Sequence, residues 1–343
     1  MRSFASDNNS GVHSEIIDAI IDANSNHAVG YGDDIYTQKS YELFNKAFGC
    51  NVNVFYTFLG TGANVLAMKA MTQSFNSILC AQTAHVNVDE CGAVEHFTGA
   101  RIVPIRSNDG KIYIEDLKNE LHGIGSEHHS QPKVISITQP TELGTLYSVE
   151  EIRNLCTFAH SNNMLLHIDG ARISNALAAL NVDIKTMLTD TGVDAVSFGG
   201  TKNGMMYGEA VVFLNDKLAD NFKYFRKQGM QLASKMRYIS AQFISYLCDG
   251  LNIKLASHAN NMANFLYNEI KDISSIELVQ PVQTNGIFAR VPNWLIDPLS
   301  QEYFFYTWDE SENIVRWMTS FDTTEQDVVD FVSSIKKIIA ENS

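Results

Sequence analysis

The stretch MLLHIDGARISNALAALN, residues 164–181, changes periodicity at its Asp-Gly pair. A short apolar run, MLLHIDG, gives way to a segment with helical spacing, ARISNALAALN. That succession is the signature of a buried strand feeding a covering helix. The same alternation recurs along the chain. NVNVFYTFL precedes GTGANVLAMKAMT, and KVISITQ precedes SVEEIRNLCTFAHSNN. Repeated strand-to-helix units predict a mainly parallel α/β sheet covered by helices. Two long helical patterns follow, around residues 217–247 and 255–272, and the few prolines allow a helix to run unbroken from one unit into the next. The texture then shifts to the short strands IELVQ, GIFARVP, YFFYTWD and NIVRWMTSFD and a final amphipathic helix, TEQDVVDFVSSIKKIIAEN. These predict a smaller α+β unit. The expected organisation is an N-terminal segment, 1–25, packing with the small unit, a large domain over 26–250 and a small one over 251–343.

Composition narrows the class of function. The 343 residues, 45% of them hydrophobic, suffice for a large core. A net charge of −14 argues against a nucleic-acid or anionic-membrane surface, leaving a small molecule as the expected partner. The five cysteines have no CxxC spacing, so neither a disulfide framework nor a zinc site is suggested, and reduced thiols in a cytoplasm are expected. No N-terminal charged-then-apolar signal and no apolar run of about 18 residues occurs, which predicts a soluble, unexported chain.

Three strand ends carry chemistry. In LGTGAN, Gly60 and Thr61 open a helix after a strand, where free N–H groups and the helix dipole favour an anion; close packing is the plainer reading of the glycines. Asp169 ends the MLLHIDG strand, where open α/β sheets bind ligands, or it caps the helix that follows. Arg172 could pair with Asp169 or clamp a phosphate or carboxylate. Lys202, in SFGGTKNGMMYGEA, ends another strand among glycines, and a confined lysine loses basicity and becomes a nucleophile towards an aldehyde. An anion cradle, a carboxylate and a lysine in this order meet the needs of pyridoxal 5'-phosphate: a seat for the phosphate, a partner for the ring nitrogen and an amine for the aldehyde. His85, after the SILC strand, is placed to lie over the ring.

These blocks, together with SDNNSGVHSEI, VGYGDDIYTQKSYELF, HVNVDECGAVEHFTGARIVPI, TQPTELGTLYSVEEI and RWMTSFDTTEQDV, resemble the low-specificity L-threonine aldolases. Those enzymes form a β-eliminating lyase-like group among the fold-type I pyridoxal-phosphate enzymes. The resemblance implies a fold-type I transferase-like α/β domain and cleavage of threonine, allo-threonine or related β-hydroxy amino acids to glycine and an aldehyde. It implies a Schiff-base role for Lys202, ring-nitrogen pairing for Asp169 and ring stacking for His85. Gly60 and Thr61 would hold the phosphate, and Arg172 the ring hydroxyl or the substrate carboxylate. Ser6 and Arg316 match positions that hold the substrate carboxylate. For the catalytic base it leaves His85, one of His128 and His129, and Glu90 acting through a water. It further implies a homo-oligomer, at least a dimer and more readily a tetramer, with Tyr31, Asp34 and Tyr36 in the segment expected to cross between subunits. Two departures stand out: YTQKS follows GDD, and GMQLASKMRYISAQ stands where a glycine-rich segment is frequent, leaving open whether Lys235 or Arg237 reaches the phosphate. The rival readings are another pyridoxal-phosphate reaction, such as β-elimination or transamination, and a small-ligand binding protein without catalysis.

Overall fold

The computed structural model describes residues 2–342 and places the strand-to-helix units in one seven-stranded sheet. Its strands are β1 (Asn53–Thr57), β2 (Asn76–Ala81), β3 (Arg101–Ile105), β4 (Gln131–Thr138), β5 (Leu165–Gly170), β6 (Ala195–Gly199) and β7 (Glu209–Phe213). They lie in the order β1-β7-β6-β5-β4-β2-β3. The run from β6 to β3 is parallel, as the alternating pattern predicts, and its central strands are apolar because helices cover both faces. One strand breaks the pattern. β7 is antiparallel to both its neighbours, β6 and β1, so β1 is an edge strand reached through β7 rather than a partner of β2.

A second, antiparallel sheet forms from β8 (Glu277–Leu278), β9 (Gly286–Arg290), β10 (Tyr306–Asp309) and β11 (Ile314–Met318), in the order β10-β11-β9-β8. The final helix, Glu325–Glu341, starts with a reciprocal capping box between Thr324 and Asp327 and buries Val328, Phe331 and Ile335. These side chains share a small core with Trp317, Leu295 and, from the other end of the chain, Phe4. Phe4 is held like an extra strand. Its N–H donates to the Phe304 carbonyl at 2.8 Å, and its own carbonyl accepts from the Met318 N–H at 2.7 Å. Ile16, twelve residues on, packs in the large core instead.

The helical pattern expected over 217–247 is interrupted. Residues 217–247 hold helices Phe222–Gln228 and Arg237–Leu247, separated by an irregular segment in which Met230 takes a positive φ of 60°. A second break falls at Asp249 and Gly250, with φ of 50° and 68°, left-handed values that an α-helix cannot contain. From there helix Leu251–Ile270 runs unbroken from one unit into the next, as expected, with Leu251 and Leu255 in the large core and Leu266 and Ile270 in the small one. Among the described residues no helix is long and apolar enough to cross a membrane.

Candidate active site

The carboxyl ends of β5 and β6 are adjacent, with Asp169 opposite Ser197 and Gly170 opposite Phe198, so residues just beyond them share one crevice. Asp169, Lys202, His85, Gly60 and Thr61 line an inner chamber of about 60 Å³. This opens on an outer cavity of about 650 Å³, to which Ser6, Arg172, Arg316, Lys202 and His85 all contribute. Helix Gly60–Met71 begins at the chamber with Leu59 at its cap position and no side chain capping its first N–H groups. Those donors and the positive helix end are oriented for an anion.

The carboxylates are fixed by shared donors. Asn64 Nδ2 donates to Asp169 Oδ2 at 2.8 Å and to Glu90 Oε1 at 2.9 Å, while the Ala171 N–H holds Asp169 Oδ1 at 3.0 Å. Glu90 Oε1 also meets His85 Nδ1 at 2.9 Å. That bond, ahead of the opposing effect of burial, raises the His85 pKa and favours the imidazolium. Lys202 behaves oppositely: the neighbouring Arg172 charge, then burial, lower its pKa and favour the neutral amine. Burial pushes the Glu142 and Glu209 carboxyls up to about 7.

Arg172 does not pair with Asp169. Its guanidinium grips Asp7, Nε to Oδ2 at 2.6 Å and Nη2 to Oδ1 at 2.8 Å, a two-point geometry that a short turn at Asp7–Asn9 delivers. Arg316 projects from β11 beneath Tyr306 and Trp308, 5.5 and 5.0 Å from their ring centres, and its Nη2 donates to the Ala5 carbonyl at 3.0 Å. Burial and the Arg172 charge lower its pKa to about 10.

Not every expected residue arrives. His129 lies on an exposed loop and lines neither chamber; its ring packs against His122 and closely over Gly123. The loop 121–130 is tied to itself by Gln131, whose amide bonds carbonyls of Gly123, Ser126 and His129, and this turns the histidine pair away from its own chain's cavity. Arg237 is likewise engaged elsewhere, donating to the carbonyls of Ser25 and Asn26. Beside the Gly60 turn stands Gln231 instead: its Oε1 accepts from the Phe58 N–H at 2.9 Å, and its side chain fills the space a Cβ on Gly62 would need.

A family model described as beta-eliminating lyase matches residues 3–293. The chain belongs to the beta-eliminating lyase family. It is 39% identical to a low specificity L-threonine aldolase of Pseudomonas sp. and 38% identical to that of Pseudomonas aeruginosa, matches that cover 98% of this chain and 98% and 97% of those. The solved structure of the Leishmania major threonine aldolase superposes with a TM-score of 0.94 at 29% identity, covering 99% of this chain and all of that one. The fold-type I architecture and the threonine-aldolase resemblance expected from the sequence are therefore borne out.

In this beta-eliminating lyase several cavity residues escaped sequence reading. Asn64, Glu142 and Asn285, together with Asp7 behind Arg172, sit in turns or inside an apolar helix, and nothing in local pattern separates them from ordinary loop or capping residues. Asn64 had one usable signal, a polar residue on the otherwise buried face of helix Gly60–Met71.

Proposed function

We propose that the protein cleaves L-threonine, L-allo-threonine and related β-hydroxy-α-amino acids to glycine and an aldehyde, using pyridoxal 5'-phosphate. One observation carries this reading. Among the described residues, the buried side-chain polar atoms without a partner belong to Asn64, Thr83, Glu90, Glu142, Asn285 and Arg316, all lining the two chambers, and otherwise only to Arg226 and Trp317. Leaving such groups unpaired costs about 1–3 kcal/mol each, so their concentration around one cavity fits a polar ligand that pairs with them.

The donor set suits the cofactor. The Gly60–Thr61 helix start would hold its phosphate, Asp169 its ring nitrogen, His85 a ring face and Lys202 its aldehyde. When bound, the cofactor accepts the electron pair left on a substrate's α-carbon. The neutral Lys202 amine favoured by Arg172 and burial is the form that attacks a carbonyl. Asp169, oriented by Asn64 and the Ala171 N–H, keeps a proton on the ring nitrogen. Arg316, its Nε without a partner, binds the substrate carboxylate with Ser6 nearby, and so decides which α-carbon bond is presented for cleavage.

The cell compartment we propose is the cytoplasm, where the exposed thiols of Cys50, Cys91 and Cys248 stay reduced. We also propose a homo-oligomer, at least a dimer and preferably a tetramer. Exposed apolar side chains near the Gly60 turn, Tyr31, Leu59, Met206 and Met230 among them, support a second copy there. Light scattering at assay concentration should find the active species heavier than one chain.

Borohydride reduction of the cofactor-loaded protein followed by peptide mapping tests the site. The label is expected on the peptide carrying Lys202; a label on any other lysine contradicts the assignment.

A further inference from the structure

The outer cavity contains a carboxyl group that the proposed function leaves unused. Glu142 follows β4 and lines both chambers, as do His85, Arg172 and Lys202. Its two oxygens differ sharply. Oε1 accepts from Thr138 Oγ1 at 2.7 Å and from the His85 N–H at 2.9 Å, whereas buried Oε2 has no partner among the described residues. With both donors on Oε1, a proton on this carboxyl belongs on Oε2.

We propose that Glu142 exchanges a proton with the substrate's β-oxygen, taking it from the hydroxyl during cleavage and returning it during synthesis. The inference rests on the aldol-cleavage reading above. In the cleavage direction the hydroxyl O–H bond breaks and its proton passes to Oε2. The O–H electron pair becomes the second bond of the aldehyde carbonyl. The Cα–Cβ bond breaks with its pair left on the α-carbon, which a later proton converts to glycine.

The neighbouring groups favour Glu142 over the other candidates. His85 is held by Glu90 towards the imidazolium, which has no lone pair left to accept a proton. Glu90 lines only the inner chamber. His128 and His129 line neither. Around Glu142 stand His85 and Glu90 beyond β2, Asp169 and Arg172 beyond β5, and Lys202 beyond β6. The Cys80 thiol and Tyr147 phenol, both pushed up by burial, stay neutral near pH 7. Burial, reinforced by Asp169, brings the Glu142 carboxyl to about 7, so both protonation states are populated at neutral pH.

The test compares two reactions of the cofactor-loaded enzyme. Cleavage of threonine needs a proton taken from the β-oxygen, but exchange of the glycine α-proton with deuterated water does not. Glu142→Gln keeps the shape and an acceptor for Thr138 and the His85 N–H. It should lower kcat for cleavage by about 10²–10⁴-fold, the usual range for one acid–base group, and abolish the rise of kcat with pH near 7. Glycine exchange should stay close to the native rate. In the cofactor-free protein, a protonated-carboxyl infrared band titrating near neutral pH should be lost in Glu142→Gln, leaving that of Glu209. Near-native cleavage with an unchanged pH profile, or cleavage and exchange falling together, overturns the proposal. If Glu142→Gln does not fold, Glu142→Asp carries the test: it should keep a pH-dependent rise at reduced kcat, and a flat profile overturns the proposal. A native enzyme that exchanges glycine without cleaving threonine overturns the parent reading and the proposal with it.

Discussion

Asp7 and Arg172 form a two-point ion pair across 165 residues of chain, at 2.6 and 2.8 Å. Asn285 Nδ2 adds a third bond to Asp7 Oδ2 at 3.1 Å, so the N-terminal segment, the large unit and the small sheet meet at one carboxylate. The pair therefore works as architecture and electrostatics together: it fixes Arg172 in the lining of the outer cavity and leaves its charge beside Lys202.

Removing one partner of such a pair strands the other. Asp7→Ala should destabilise the protein by about 3–5 kcal/mol in denaturant melts, the cost of an uncompensated buried charge. Burial raises the Asp7 pKa, but Arg172 and the Asn285 bond outweigh it and hold the carboxyl below its ordinary value of 3.8. The stability due to this group is thus complete above that value and lost as pH falls below it. Native protein should lose stability more steeply on acidification than Asp7→Ala.

Arg316 is the proposed carboxylate anchor, and its planar fork is not replaceable by an ammonium. Arg316→Lys should reduce kcat/KM for threonine by roughly 10- to 150-fold, the value of a charged hydrogen bond of about 1.5–3 kcal/mol. Steady-state kinetics with the loaded enzyme would check this, and the loss should appear chiefly in KM.

Glu90 raises the His85 pKa through one bond at 2.9 Å. Glu90→Gln should therefore lower it, which titration of the His85 ring by NMR in the cofactor-free protein would reveal. An unmoved or higher value contradicts the pairing.

Lys202→Ala removes the only amine that, among the described residues, lines both chambers. Cleavage should fall by several orders of magnitude, and dialysis should strip the cofactor from the variant but not from the native protein.

Much of this arrangement is legible in the sequence because strand ends carry it. Asp169 and Lys202 each close an apolar run, and parallel packing of adjacent strands brings them together without further information. Arg316 follows from its place in β11 only once the small sheet and Phe4 pin both chain ends near the cavity. The pairing of Arg172 was not legible, because Asp169 is nearby in sequence whereas Asp7 is brought in only by tertiary structure. His129 illustrates the converse: a histidine pair suggests chemistry, but loop bonds through Gln131 fix its direction. The break at Asp249–Gly250 falls on an Asp-Gly pair, a turn signal present in the sequence, whereas Met230 has no left-handed preference of its own and is held there by its surroundings.

Cleavage of the Cα–Cβ bond fixes the products, so product analysis distinguishes it from elimination. Incubated separately with L-threonine and L-allo-threonine, the cofactor-loaded protein should release glycine and acetaldehyde in equal amounts, with the rate ratio giving the preference at Cβ. Formation of 2-oxobutanoate and ammonia without glycine would contradict the account.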